Sequence, residues 1–143
     1  MALESVPAYS GFPSGQGGRA YNEAAFRHFL AVERRRAERS MRSLLLVLVT
    51  LRQSPGLSAK INDATAAALF RGLGASVREV DFVGWYREGR VAAAVLPQGV
   101  KASGDVPHLI ADRVVIALRK RLSADQSRNL RVRVVRLGAR VGI

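Results

Sequence analysis

The stretch Arg78–Pro97, REVDFVGWYREGRVAAAVLP, decides how this chain folds. After Asp81, the run to Tyr86 is apolar and rich in β-branched and aromatic residues, and Val91 to Leu96 is apolar again until Pro97 stops it. Between them Arg87-Glu88-Gly89-Arg90 is a polar break whose glycine can take positive φ. Two such runs around a short glycine-bearing turn predict a β-hairpin.

Upstream, Leu44–Leu51 reads LLLVLVTL, eight residues without polar alternation. That is the pattern of a central strand covered on both faces. Between this strand and the hairpin, Asn62-Asp63 caps a second helix, with Ala66, Phe70, Leu73 and Val77 at i, i+4, i+7 and i+11. Downstream, Gly99–Asp105 reads as a loop, and Pro107 suits the first residue of a third helix. That helix buries Ile110, Val114, Ala117, Leu118 and Leu122 and exposes Arg113, Arg119, Lys120 and Arg121. Asp125 to Asn129 is polar. In the last strand, Leu130, Val132 and Val134 alternate with Arg131 and Arg133, giving one core face and one basic face.

A first helix precedes all of this. Asn22 is its N-cap, Glu23 sits at the positive end of its dipole, and Phe26, Phe29 and Leu30 keep helical spacing, with Ala37 and Met41 extending it. Its second half carries Arg34, Arg35, Arg36, Arg39 and Arg42 among Glu33 and Glu38. The order is α followed by βαββαβ, which predicts an α+β fold. The core is a ferredoxin-like antiparallel sheet with two helices on one side, and the extra N-terminal helix covers an end or the other face. Residues 1–20, with Pro7, Gly11, Pro13 and the run Ser14-Gly15-Gln16-Gly17-Gly18, read as a flexible leader, and 21–143 as the folded domain.

At 143 residues the chain is long enough for one domain with a real core. It has no cysteine, and His28 and His108 lie far apart, so neither a disulfide framework nor a His-based zinc centre is expected. The longest apolar run is too short to span a bilayer and no signal-peptide pattern opens the chain, which makes the cytoplasm the expected compartment. The net charge is +12, and of the 23 basic residues all but Lys60, Lys101 and Lys120 are arginine. Such a charge asks for anionic partners, and guanidinium forks suit phosphates and guanine edges.

No residue constellation supports catalysis. Ser14–Gly18 has no strand before it to make a phosphate loop, and no nucleophile-elbow context exists for a serine. The chain is therefore read as a non-enzyme without a cofactor. One pair does point to a ligand: Arg78 and Asp81, spaced i,i+3 where the second helix hands over to the hairpin. Arginine can fork onto the O6/N7 edge of guanine, and aspartate can accept from guanine N1–H and its exocyclic amine. By spacing alone the same pair also fits a surface ion pair.

At this point the chain resembles a GGDEF (diguanylate cyclase-like) domain, from about Ala25 to Gly138. Phe26–Ser43 resembles the basic first helix of that family, Leu44–Leu51 its first core strand, Val77–Tyr86 the helix end and strand leading into the signature turn, and Val91–Pro97 the strand after it. The resemblance comes with departures. Arg87-Glu88-Gly89-Arg90-Val91 stands where the family has Gly-Gly-Asp/Glu-Glu-Phe, and Val49-Thr50-Leu51 where it has a metal-binding aspartate. A degenerate, non-catalytic member is the expectation. Arg78-Glu79-Val80-Asp81, followed by five residues and then the turn, matches the family's inhibitory RxxD motif. The resemblance therefore implies cyclic di-GMP as ligand of Arg78 and Asp81, with Arg71 two helical turns earlier on the same face as a further phosphate contact. Regulation of exopolysaccharide production is the output that the resemblance suggests. The alternatives are a nucleotide-independent module that docks an acidic protein or a second copy through its basic faces, and, less favoured, nucleic-acid binding, because Trp85 and Tyr86 point to opposite faces.

Overall fold

The apolar run Leu44–Leu51 lies inside the sheet, and its side chains leave alternately on the two sides. The computed structural model describes residues 9–13, 19–54, 57–77, 81–98 and 106–138. Its elements are β1 (Tyr9–Pro13), β2 (Arg19–Tyr21), α1 (Glu23–Arg39), β3 (Ser43–Ser54), β4 (Leu57–Ser58), α2 (Asp63–Ser76), β5 (Phe82–Arg87), β6 (Val91–Pro97), α3 (Val106–Arg119), α4 (Ala124–Asn129) and β7 (Leu130–Gly138). The βαββαβ core predicted above is β3-α2-β5-β6-α3-β7. Its strands stand in the order β5-β6-β3-β7 with every neighbour antiparallel, as a ferredoxin-like sheet requires.

The parity of β3 sorts the core into two layers. Leu45, Val47, Val49 and Leu51 join Val83 and Trp85 of β5, Ala92, Ala94 and Leu96 of β6, and Leu130 of β7. Against them pack Leu69, Phe70 and Leu73 of α2 and Ile110, Val114 and Leu118 of α3. Leu44 and Leu46 face the other way, with Ala93 and Val95, and are covered by Phe26 and Ala37 of α1. Of the two places left open for the first helix, it takes the second sheet face. The molecule is thus three layers, α1 on one side and α2 with α3 on the other.

Helix ends follow local chemistry. The Asn22 side chain accepts from the Ala25 N–H at 2.9 Å, and Asn62 accepts from Thr65 at the same distance, so both predicted caps form. α1 stops at Arg39, and Met41 lies beyond it at φ 55, more than half exposed rather than on the helical stripe. The polar segment before β7 holds a short helix that the sequence reading left out. Ser123 and Gln126 form a reciprocal capping box, a signal legible in the sequence.

The flexible-leader reading of 1–20 is corrected for two pieces of it. Tyr9–Pro13 and Arg19–Tyr21 are paired antiparallel strands, and Tyr21 pairs parallel with Gly84 of β5, extending the sheet beyond the hairpin. What holds them is aromatic packing. Phe12 meets Phe70 and Trp85 at 5.9 and 6.3 Å between ring centroids, and Tyr9 stacks on Tyr21 at 5.0 Å. Residues 14–18 lie outside the described residues.

The turn behaves as read. Gly89 takes φ 72 and the Arg90 N–H donates to the Arg87 carbonyl at 3.0 Å. Gly84 matters for another reason: a Cβ there would stand 2.7 Å from the Tyr21 carbonyl oxygen and 2.9 Å from Phe26. Gly84→Ala should therefore push β2 and α1 off the sheet and cost about 1–3 kcal/mol in urea denaturation. A second expectation concerns pH. Burial, and then the neighbouring Tyr9 hydroxyl, raise the Tyr21 pKa above its ordinary 10.0. The folded chain then holds that proton more tightly than the unfolded one, so this contribution is complete below pH 10.0 and declines as pH rises beyond it. Thermal melts across that range should show the decline, and Tyr21→Phe should flatten it.

Candidate nucleotide-binding cleft

The two ends of the hairpin strands carry different chemistry. At the start of β5 and the end of β6, an open cleft of 610 Å³ lies between the C-terminal end of α2 and the first turns of α3. Ala75, Ser76 and Val77 form one wall, Val106, Leu109, Ile110 and Arg113 the other, and Asp81, Leu96 and Gln98 the floor. The α2 end is fixed by its own chain, since the buried Ser76 hydroxyl donates to the Gly72 carbonyl at 2.7 Å.

Asp81, read from the sequence as a ligand contact, is half-buried in this cleft. Arg78 lies outside the described residues. Arg71 is exposed on α2 one helical turn before Ala75, and it is not among the residues lining the cleft. The structure adds Arg113, which sequence reading placed only on the outer face of α3. It stands on the cleft wall 32 positions from Asp81, and only the βαβ crossover brings the two to one site. The lining is mixed, apolar from Val77, Leu96, Val106, Leu109 and Ile110 and polar or charged from Ser76, Asp81, Gln98 and Arg113.

At the other end of the hairpin the turn is tied to α1. The Glu88 N–H donates to Glu23 Oε1 at 2.6 Å, and the Glu23 N–H donates back to Glu88 Oε1 at 3.2 Å. Arg27 completes the contact. Its Nε donates to the Tyr86 carbonyl at 2.9 Å, its guanidinium lies 4.3 Å over the Tyr86 ring, and it pairs with Glu23 at 3.5 Å. The one carboxylate of the turn is thus engaged at the positive end of the α1 dipole. Neither Glu23 nor Arg27 could be linked to the turn from sequence, because the partners are about 60 residues away.

Beside the last residues of β3 lies a smaller cleft of 410 Å³, lined by Leu51, Arg52, Ala59, Lys60, Asp125, Gln126 and Asn129. Its one carboxylate, Asp125, is paired with Arg128 at 2.8 Å, and Gln126 donates to the Thr65 hydroxyl. Among the described residues, no group of three or more His, Cys, Asp or Glu side chains converges as metal ligands would. Nor, among them, is any helix long and apolar enough to cross a membrane.

No protein-family model matches the sequence, and no curated protein matches it either. Solved structures do match the fold. A sensory box/GGDEF family protein from Caulobacter crescentus superposes with a TM-score of 0.63 at 20% identity, over 90% of this chain and 81% of that one. The GGDEF domain of FimX from Pseudomonas aeruginosa gives 0.62 at 15% identity, over 96% and 85%. The GGDEF domain of DgcB from Caulobacter crescentus, in complex with c-di-GMP, gives 0.61 at 16%, over 90% and 73%. At such identities the likeness is one of fold, and the fold of this chain is that of GGDEF domains.

Proposed function

We propose that this chain is a non-catalytic GGDEF-like signalling domain and a receptor for cyclic di-GMP, which it takes up in the cleft floored by Asp81. The observation that carries the reading is that cleft. Its 610 Å³ lies within the roughly 300–1,000 Å³ of small-molecule sites, and Val77 and Asp81, which flank Arg78-Glu79-Val80 in sequence, both line it. Asp81 accepts from guanine N–H groups, Arg78 forks onto a guanine edge or a phosphate, and Arg113 meets phosphate from the opposite wall.

The non-catalytic half of the reading rests on the donor set. Two-metal phosphoryl chemistry on this fold needs carboxylates in the second half of β3 and at the hairpin turn. Val49-Thr50-Leu51 supplies none at the first place. At the second, Glu88 stands between Arg87 and Arg90 and is held by the α1 N-terminus. These residues do not fit a pair of Mg²⁺ ions. The sheet faces are covered by α1 and by α2 with α3, which leaves the base-stacking platform of RNA-recognition sheets without a counterpart here. The resemblance to domains that regulate exopolysaccharide production names the pathway in which to look for the output.

Isothermal titration of cyclic di-GMP tests the receptor reading. Micromolar or tighter binding is expected for the natural sequence, with loss in Arg78→Ala and Asp81→Ala and a weakening of about tenfold or more in Arg113→Ala. Undiminished affinity in Arg78→Ala would overturn it. Incubation with GTP and Mg²⁺ should yield no cyclic di-GMP. Glu88→Ala should leave nucleotide affinity unchanged and lower stability by about 1 kcal/mol, as loss of a helix-end contact does, measured by denaturation.

A further inference from the structure

α3 is apolar on two sides. Its broad face, Ile110, Val114 and Leu118, is buried against the sheet and α2. On the opposite side, Leu109 and Ile116 are 64% and 58% exposed, two of only four large hydrophobic side chains so exposed among the described residues. They are seven positions apart, two helical turns, and so lie one above the other. Arg113 and Lys120, both exposed, fall on the same line at i+4 and i+11 from Leu109. The result is a seam that alternates apolar and cationic: Leu109, Arg113, Ile116, Lys120.

The charges beside this seam are unevenly matched. On α1, across the sheet, Glu23, Glu33 and Glu38 pair with Arg27, Arg36 and Arg34 along the helix. α3 has one acid, Asp112, against Arg113 and Arg119, with Lys120 and Arg121 following directly. In a chain of net charge +12, a second copy would bring like charges together along this line. A membrane surface is the poorer fit as well, since helices that lie on bilayers turn a broad apolar face outward, and the broad face of α3 is turned inward. Two apolar side chains spaced by about 10 Å, with cations between and beyond them, match the face of one helix instead.

We propose that the outward seam of α3 docks an acidic amphipathic helix of a partner protein. Leucine-type side chains of the partner pack on Leu109 and Ile116, while its carboxylates meet Arg113 and Lys120. The apolar contacts set the register and the charges favour encounter and exclude basic partners. Because Leu109 and Arg113 also line the Asp81 cleft, the seam and the cleft share a wall. The docking itself needs no nucleotide.

The test is fluorescence anisotropy with a labelled synthetic helix of about 18 residues, leucines at i, i+3 and i+7 and glutamates elsewhere, added to the full chain without nucleotide. Saturable micromolar binding that weakens with salt is expected. The double variant Leu109→Ser/Ile116→Ser removes mostly exposed apolar surface and should weaken it by roughly tenfold or more. Arg113→Glu/Lys120→Glu should abolish it, with circular dichroism confirming that each variant is folded. Absence of binding would overturn the proposal, and so would affinity indifferent to the serine pair, which marks a mere charge effect. Tighter, Leu109-dependent binding to phosphatidylglycerol vesicles than to the peptide would overturn it in favour of a lipid surface. Because nucleotide is absent throughout, none of these outcomes depends on the receptor reading.

Discussion

The structure depends on β3 being dry on both faces. Leu45, Val47 and Val49 can be buried only if α2 and α3 lie on one side, and Leu44 and Leu46 only if α1 lies on the other. Full burial of each such side chain contributes on the order of 1.5–3 kcal/mol, so neither helical layer is dispensable to so small a chain. Antiparallel pairing of β3 with both β6 and β7 leaves its backbone groups no need of water over the same residues. A polar side chain anywhere from Leu44 to Val47 would have no partner on either side. This explains why a run of eight residues without alternation was enough to place the strand.

The same logic marks where the sequence was legible and where it was not. Long apolar runs and helical stripes depend on local periodicity, and β3, the hairpin, α2 and α3 were read from it. β1 and β2 are five and three residues long, too short for a period to show, and they are separated by the polar run 14–18. Their burial comes from Phe12 reaching Phe70 and Trp85, contacts more than 50 positions away. α4 is a different miss, because Ser123 and Gln126 spell a capping box before any apolar residue. A polar six-residue helix has no stripe to announce it, and the cap was its only signal.

The site was half legible for the same reason. The spacing of Arg78 and Asp81 is local, and the structure puts Asp81 on the cleft floor. The opposite wall is not local. Arg113 looks in sequence like any solvated cation on the outer face of a helix, and its place depends on how α3 crosses the sheet. The two helices meet where Gly72 lies so near Leu118 that a Cβ would be 2.5 Å from the end of that side chain. A side chain at position 72 would have to displace that leucine.

The hairpin joins two sites that have no direct contact. β5 spans six residues, about 20 Å, with Asp81 just before it and Glu88 just after it. Its middle cannot shift without disturbing Trp85 on one face and the Gly84 contact with Tyr21 and Phe26 on the other. A strand so held transmits displacement along its length rather than absorbing it. The α1 N-terminus, through Glu23 and Arg27, grips the far end of the strand whose near end floors the cleft. The Asp81 cleft and the α1 contact at the turn therefore share one tightly packed strand. Were a ligand at Asp81 and the α1 contact to bias one another through this strand, the effect would be equal in both directions.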